Sequence, residues 1–388
     1  MSETGILRSA LLILFVNTTL VKKILVLCPY PENCAPSQRL KYEQYFGEFR
    51  KAGFDVTVSS FVNRGFWKII YRPNHWLAKA FYTCCGYLHR TMDIFRLRRY
   101  DIVYVHLWVT PLGFPFYEWL VKRFSRAMVY DIDDMIFLGH SSQANHMLQN
   151  LKGRKKMSYL MKSANHVITS TPALEEFARK YNNQVSDIPT TLQVDRFTPK
   201  TNYEIKDELI LGHSGSHSTS KYLKSIEPVF EKLLQSGIKF KVLVTGDADF
   251  CFSNREIPVE SKAWFAEDEA SDLLQMDVGL YPLTDEPWVY GKRGGKALLY
   301  MAAGLPVIAT AIGTNSETFS DGNTALLVKV NDVDGWVDAI TKLSADESLR
   351  RRLGTAARNA VHAQFSVAAN KDKYLKVLNQ AITKQTQV

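Results

Sequence analysis

The residues best placed to do chemistry sit in one run, Gly291-Lys292-Arg293-Gly294-Gly295-Lys296, which leads into an apolar stretch ending at Gly304-Leu305-Pro306. A glycine-rich loop that opens a helix leaves backbone N–H groups without partners at the positive end of the helix dipole. Lys292 and Lys296 add positive charge, and such a place suits a diphosphate. Pro306 then opens a short apolar strand, Val307-Ile308-Ala309, which leads to Gly313 and on to Glu317.

A second segment of small residues, Gly212 to Lys221, follows a strand pattern and opens another helix. Small residues such as Gly215 and Ser216 let the backbone approach an anion, and Lys221 can reach it from the first turn. A polar turn with a solvated lysine explains the same residues. The Lys292–Lys296 loop in the same half of the chain favours the anion.

Tyr130-Asp131-Ile132-Asp133-Asp134 is the sharpest acidic cluster. Such carboxylates can bind a divalent cation, act as a base toward an acceptor hydroxyl, or cap a helix and tie down a loop. Contact with an acceptor is preferred here, and no metal site is expected.

Residues 64–99 carry eight Lys/Arg against one acid, Asp93, with Trp67, Trp76, Phe81 and Tyr82 interleaved. Leu77, Phe81, Cys84, Leu88, Met92 and Phe95 recur at helical spacing. A basic helix with an apolar face suits an anionic membrane surface. A core-packed helix with a solvated basic side has the same spacing. Single-stranded nucleic acid also favours basic-aromatic surfaces, but no RNA-binding motif accompanies this one, so no nucleic-acid partner is expected.

The elements that must position these groups alternate along the 388 residues. Short apolar runs at Ile24–Leu27, Asp55–Ser59, Asp101–His106, Ala127–Asp131 and His166–Ser170 read as strands between helical patterns. A polar break at Phe197–Glu208 reads as a linker, after which strands at Ile210–His213, Phe240–Thr245, Val278–Pro282, Val307–Ala309 and Ala325–Val328 restart the pattern. Such runs imply parallel sheets covered on both faces. The expected division is a domain over 21–200, a second over 201–365, and a final helix over 366–388 that crosses back to the first. Residues 1–20 are expected to lie outside the fold, with translation starting near Val21. Helices are expected at Gln38–Ala52 and Lys221–Ser236 among others. Hydrophobic content of 46% and charged content of 22% are those of a globular chain, and the net charge of +9 suits an anionic partner. Five cysteines without C-x-x-C spacing read as reduced thiols of a cytoplasmic protein.

Asp187 to Pro199, DIPTTLQVDRFTP, resembles the hinge segment of the retaining GT-B glycosyltransferases of family 4, the glycosyl transferases group 1. Thr190 and Thr191 stand where that segment usually has Asn-Gly. Other landmarks agree in order and spacing: Pro36-Ser37-Gln38-Arg39 after the first strand, Asp101 to His106, Lys221, and Ala302-Ala303-Gly304-Leu305-Pro306-Val307. The resemblance covers residues 21–385. It implies a GT-B fold, two Rossmann-like domains facing across a cleft. The implied activity is sugar transfer with retention from a nucleotide-diphosphate sugar to a glycan or lipid-linked acceptor, as in bacterial polysaccharide biosynthesis. No cofactor is implied, the nucleotide-sugar being a substrate.

The resemblance also assigns roles. Lys221 and Lys292 would neutralise the donor diphosphate, helped by Lys296, with Ser216, Gly313 and Glu317 beside the nucleotide-sugar. His106 falls on the histidine that faces the transferred sugar. Ser37 and Arg39 would line the cleft on the acceptor side, with Asp131, Asp133 and Asp134. Two departures stand out. Ser216 replaces the loop arginine, and the family's acidic pair falls on Gly291 and Leu299, which are not acidic. The competing expectation is a non-catalytic scaffold that binds nucleotide-sugar or glycan. The expected location is the cytoplasm, on the inner face of the cytoplasmic membrane where the basic segment meets lipid.

Overall fold

The computed structural model describes residues 21–133 and 154–383. The expectations for residues 1–20 and for Asp134 lie outside the described residues. Six parallel strands form the first sheet: β1 (Lys22–Cys28), β2 (Phe54–Ser60), β3 (Ile102–His106), β4 (Ala127–Asp131), β5 (His166–Thr169) and β6 (Val185–Asp187). Their spatial order is β2-β1-β3-β4-β5-β6. Six more form the second: β7 (Leu209–Ser214), β8 (Phe240–Thr245), β9 (Val259–Lys262), β10 (Val278–Tyr281), β11 (Val307–Thr310) and β12 (Leu326–Val328), in the order β12-β11-β10-β7-β8-β9. Continuous apolar runs such as Ile24–Leu27 and Val307–Ala309 are buried because helices cover both faces.

Each strand order reverses once, between β1 and β3 in the first sheet and between β7 and β10 in the second. The connections leave such a point in opposite directions and open a crevice at the carboxyl ends of the strands, where α/β sheets bind ligands. The helices that matter for the site are α1 (Pro36–Arg39), α2 (Trp76–Arg96), α3 (Phe116–Phe124), α4 (His217–Lys224), α5 (Gly295–Ala302) and α6 (Val367–Thr383).

The chain passes between the two sheets at two places that touch. Leu192 N–H donates to Phe365 O at 2.8 Å, and Val367 N–H donates to Leu192 O at 3.2 Å. Beyond this crossing α6 returns to the first sheet. Its Tyr374, Val377, Leu378 and Ala381 share one buried cluster with Ile24, Val26 and Tyr104. Apolar burial at roughly 25 cal/mol per Å² makes this return helix part of the first domain's core.

Several sequence expectations are corrected. The helix expected over Gln38–Ala52 is broken into α1, a 3-10 turn at Glu43–Tyr45 and a helix at Phe46–Lys51. The Gln38 amide turns inward instead, exchanging hydrogen bonds with both backbone groups of Tyr30 at 2.9 Å. The helix expected over Lys221–Ser236 is two helices, α4 and Glu227–Gln235, because Pro228 has no N–H to continue the first. Strands β6 and β9 had no apolar signal: Val185-Ser-Asp and Val259-Glu-Ser-Lys are short edge strands, where polar residues are usual.

Candidate functional site

The crevice of the second sheet opens where β7 and β10 end. Strand β7 delivers His213 and Ser214, and the chain then turns through Gly215 and Ser216 into α4. The tyrosine of α5, Tyr300, pins this turn, since Ser214 N–H donates to its Oη at 2.6 Å. Gly215 leaves room for a lysine: a Cβ there would lie 2.3 Å from Lys296 Nζ and 2.6 Å from Thr219 Oγ1. The ammonium of Lys296 therefore sits directly against the turn.

Helix α5 starts at the same crevice. Gly294 takes φ 58° at its N-cap, a left-handed conformation that glycine adopts without strain. The N-caps are Ser216 for α4 and Gly294 for α5, and each helix turns the positive end of its dipole to the crevice. Lys292 approaches from the same loop. Its Nζ lies 5.5 Å from the centre of the Trp288 ring. Trp288 Nε1–H donates to Glu286 at 2.6 Å, and Glu286 lies 3.7 Å from Lys221 Nζ. Lys292 and Lys296 are thus neighbours at the start of α5, with Lys296 against the turn into α4, while Lys221, in the last turn of α4, is linked to Lys292 through Glu286 and Trp288. Burial and the nearby Lys292 charge hold the Lys296 ammonium down at about 7. His213, buried beneath, is pushed down to about 3 by burial and Lys296.

Gly313 lies against the Val289–Tyr290 backbone, and Ser216 is the N-cap of α4. Gly313 takes φ 53°, and a Cβ there would lie 3.3 Å from Tyr290 Cα. The next residue, Thr314, donates from Oγ1 to Lys292 O. Glu317 is exposed on the short helix that follows, Asn315–Thr318. Sequence reasoning missed Glu286, Trp288 and Tyr222, which space the lysines. An aromatic pair near a basic loop was the available signal, and its meaning depends on the fold.

His106 ends β3 at the crevice of the first sheet. The strand stops there because Leu107 turns into the left-handed region at φ 58°, which costs a branched side chain roughly 1–3 kcal/mol. The turn is held by Leu107 N–H donating to Asp131 O at 3.0 Å and by Tyr130 Oη–H donating to Leu107 O at 2.9 Å. The imidazole is fully buried beside Tyr42, with ring centres 5.0 Å apart. Its nitrogens lie 3.9 Å from Asp131 and 4.0 Å from Asp133, and among the described residues neither has a hydrogen-bond partner. Burial pushes its pKa down to about 4, so the ring is neutral at neutral pH.

The acceptor-side residues divide. Asp131 is internal, contrary to the expectation that it faces an acceptor. Its Oδ1 lies 3.1 Å from the buried Lys41 ammonium, and Tyr104 Oη–H donates to Oδ2 at 2.5 Å. A buried carboxylate is tolerable only when paired and hydrogen-bonded in this way. Lys41 carried no sequence signal. Asp133 is partly exposed next to His106. Arg39 reaches across to the second domain, 4.0 Å from Glu269 and stacked 5.1 Å from the Trp264 ring. Ser37 sits partly exposed in the same turn. Arg39, Glu269 and Leu299 border an interdomain cavity of about 370 Å³ together with Glu43 and Gln193. Among the described residues no group of three or more His, Cys, Asp or Glu is arranged to hold a metal ion.

Comparison with known proteins agrees with this fold. Residues 194–360 match the model of the family described as glycosyl transferases group 1. N-acetyl-alpha-D-glucosaminyl L-malate synthase of Bacillus anthracis is 30% identical over 174 residues, 43% of this chain and 44% of the relative. The chain thus spans less than half of that relative. The lipopolysaccharide core biosynthesis glycosyltransferase LpsE of Rhizobium meliloti is 25% identical over 63% of this chain and 75% of its own length. Among solved structures, sucrose-phosphate synthase from Thermosynechococcus elongatus superposes with a TM-score of 0.68 at 18% identity, covering 94% of this chain and all (100%) of its own. Anabaena HepE in complex with UDP superposes with a TM-score of 0.62 at 15% identity over 92% of this chain and 99% of its own. Residues 194–360 thus resemble the glycosyl transferases group 1, and the two six-stranded sheets form a GT-B fold.

Proposed function

We propose that this chain is a retaining glycosyltransferase of family 4. It transfers a hexosyl or related sugar from a nucleotide-diphosphate donor to a glycan or lipid-linked acceptor, in cell-envelope polysaccharide biosynthesis. The observation that carries the reading is that Lys296 sits against the Gly215 turn opening α4 while Lys292 and Lys296 flank the start of α5 at the β7–β10 crevice, with Lys221, in the last turn of α4, linked to them through Glu286 and Trp288. The lipopolysaccharide core glycosyltransferase LpsE named above supports the process.

As the glycosidic bond breaks, negative charge grows on the leaving diphosphate. Lysines and helix dipoles fixed in advance stabilise that charge most at the transition state. The acceptor attacks on the same face, and the departing phosphate takes its proton. His106 offers two uncommitted ring nitrogens to hydroxyls of the transferred sugar. The ring is buried in this arrangement, so the side chains over it, Tyr42 among them, shift when a sugar enters. Glu317 and Gly313 lie beside the nucleotide-sugar. No cofactor or metal is invoked.

Incubating the protein with UDP-, GDP- and ADP-sugars and an envelope glycan acceptor tests this reading. Product formed with the donor's anomeric configuration, read by NMR, is the expected result. Product of inverted configuration would refute retention. A second reading, a non-catalytic nucleotide-sugar binder, is favoured by one observation: Leu299 fills the place of the family's acidic residue and packs into the apolar core. Nucleotide binding without transfer over a broad donor and acceptor panel would decide for it.

A further inference from the structure

Helix α2 carries apolar residues on both faces. Its inner face buries Gly86, Arg90 and Asp93, and Tyr82, Tyr87 and Ile94 pack there against apolar clusters. The Arg90 guanidinium donates to the carbonyl oxygens of Cys28, Ser59 and Val109 and pairs with Asp93 at 2.9 Å. Those bonds fix the helix to the carboxyl ends of β1 and β2. The opposite face carries the apolar stripe. Leu77, Phe81, Leu88, Met92 and Phe95 are between 61% and 84% exposed. At 1.5 Å per residue the 21-residue helix is about 32 Å long, and the stripe runs along most of it.

Charge decides what covers the stripe. Arg64, Lys68 and Arg72 are exposed ahead of the helix, and Arg98 and Arg99 are exposed just beyond it. The single acid of the segment, Asp93, is buried between Arg90 and Arg96. The exposed apolar stripe therefore lies between two basic ends. A second copy of the chain would set basic end against basic end in either helix orientation. An anionic bilayer takes the apolar side chains among its acyl chains and the arginines and lysines among its headgroups. Among the described residues no helix is long and apolar enough to cross a membrane, so contact is with one leaflet.

We propose that α2 lies flat on an anionic lipid surface, with Leu77, Phe81, Leu88, Met92 and Phe95 inserted and the flanking basic residues on the headgroups. The first domain's crevice, where β1 and β3 end, is then held beside the membrane by the Arg90 bonds to Cys28 and Ser59.

The test is co-sedimentation of the full chain with vesicles, either neutral phosphatidylcholine or an equimolar mixture with phosphatidylglycerol. The expected result is at least about tenfold tighter binding to the anionic vesicles at low salt, and its loss at high salt. Leu88→Ser with Met92→Ser should abolish pelleting with either vesicle while melting temperature and nucleotide binding stay at wild-type values. Arg98→Gln with Arg99→Gln should lessen the anionic preference. Equal binding to both vesicles, absence of binding, or binding that survives the Leu88/Met92 substitutions overturns the proposal. So does a dimer that the same substitutions dissolve in a chain that ignores vesicles. A chain that binds no nucleotide would leave this outcome unchanged, so the two readings fail separately.

Discussion

Arg293 Nη2 lies 2.5 Å from Asp187 Oδ2, which ties the loop carrying Lys292 and Lys296 to the last strand of the first sheet. Both side chains are mostly buried. Burial pushes the Asp187 carboxyl up from its ordinary value, and Arg293 opposes that push. The pair is therefore expected to couple energetically as well as geometrically. In a urea-unfolding double-mutant cycle, Arg293→Ala and Asp187→Asn should show a coupling of about 0.5–3 kcal/mol. Strict additivity would mean that the contact holds nothing together.

Lys296 links donor binding to pH. Its ammonium is held down at about 7 in the empty site, and a bound diphosphate favours the charged form. Binding near neutral pH then takes up a proton. Donor affinity should be greatest below pH 7 and fall as pH rises, until the bound-state pKa is passed. The sign for folding is opposite. The unfolded chain binds the extra proton between about 7 and 10.5, so without ligand the Lys296 contribution to stability rises over that window. Calorimetry of nucleotide binding in buffers of different ionisation enthalpy measures the proton. Lys296→Met should remove the uptake, and uptake that persists in this variant would reject the assignment.

His106 should act on turnover and leave nucleotide binding alone. His106→Ala is expected to lower kcat by on the order of 100-fold, within the range for a positioned catalytic group. Because burial holds its pKa near 4, no His106 step should appear in kcat between pH 5 and 8. Below pH 6.5 the unfolded chain protonates this histidine first, so stability falls as pH drops toward 4. Wild-type turnover by His106→Ala would remove the residue from the mechanism.

Arg90 should matter to folding rather than to chemistry. Arg90→Met removes a charged donor from the carbonyls of Cys28, Ser59 and Val109 and leaves Asp93 with Arg96 and the Ser59 hydroxyl. Breaking a buried pair of this kind costs about 3–5 kcal/mol. Chemical denaturation should show a loss of that order, and a loss under 1 kcal/mol would place the pair with ordinary surface bridges.

Much of this was legible in the sequence, and the exceptions have physical causes. Strand cores such as Phe240–Thr245 and Ala127–Asp131 were read to the residue because a buried parallel strand is a continuous apolar run. The glycine-rich turn into α5 was legible because its left-handed N-cap at Gly294 favours glycine. Asp131 misled because a carboxylate at a strand end looks the same whether it meets solvent or a buried Lys41. The stripe on α2 had the right period, but periodicity does not say which side the sheet lies on. Only the Arg90 bonds to the strand ends fix the orientation. Glu286 and Trp288 were invisible because their role depends on where a distant helix, α4, begins.

The central claim is that Lys221 and Lys292 hold a nucleoside diphosphate at the β7–β10 crevice. Its most direct test is isothermal titration of UDP, GDP and ADP into the wild-type chain and into Lys221→Ala and Lys292→Ala. A charge-assisted hydrogen bond is worth roughly 1.5–3 kcal/mol, so each variant should bind the preferred nucleotide about 10- to 100-fold more weakly. Wild-type affinity in both variants, or a wild-type chain that binds none of the three, would contradict the account.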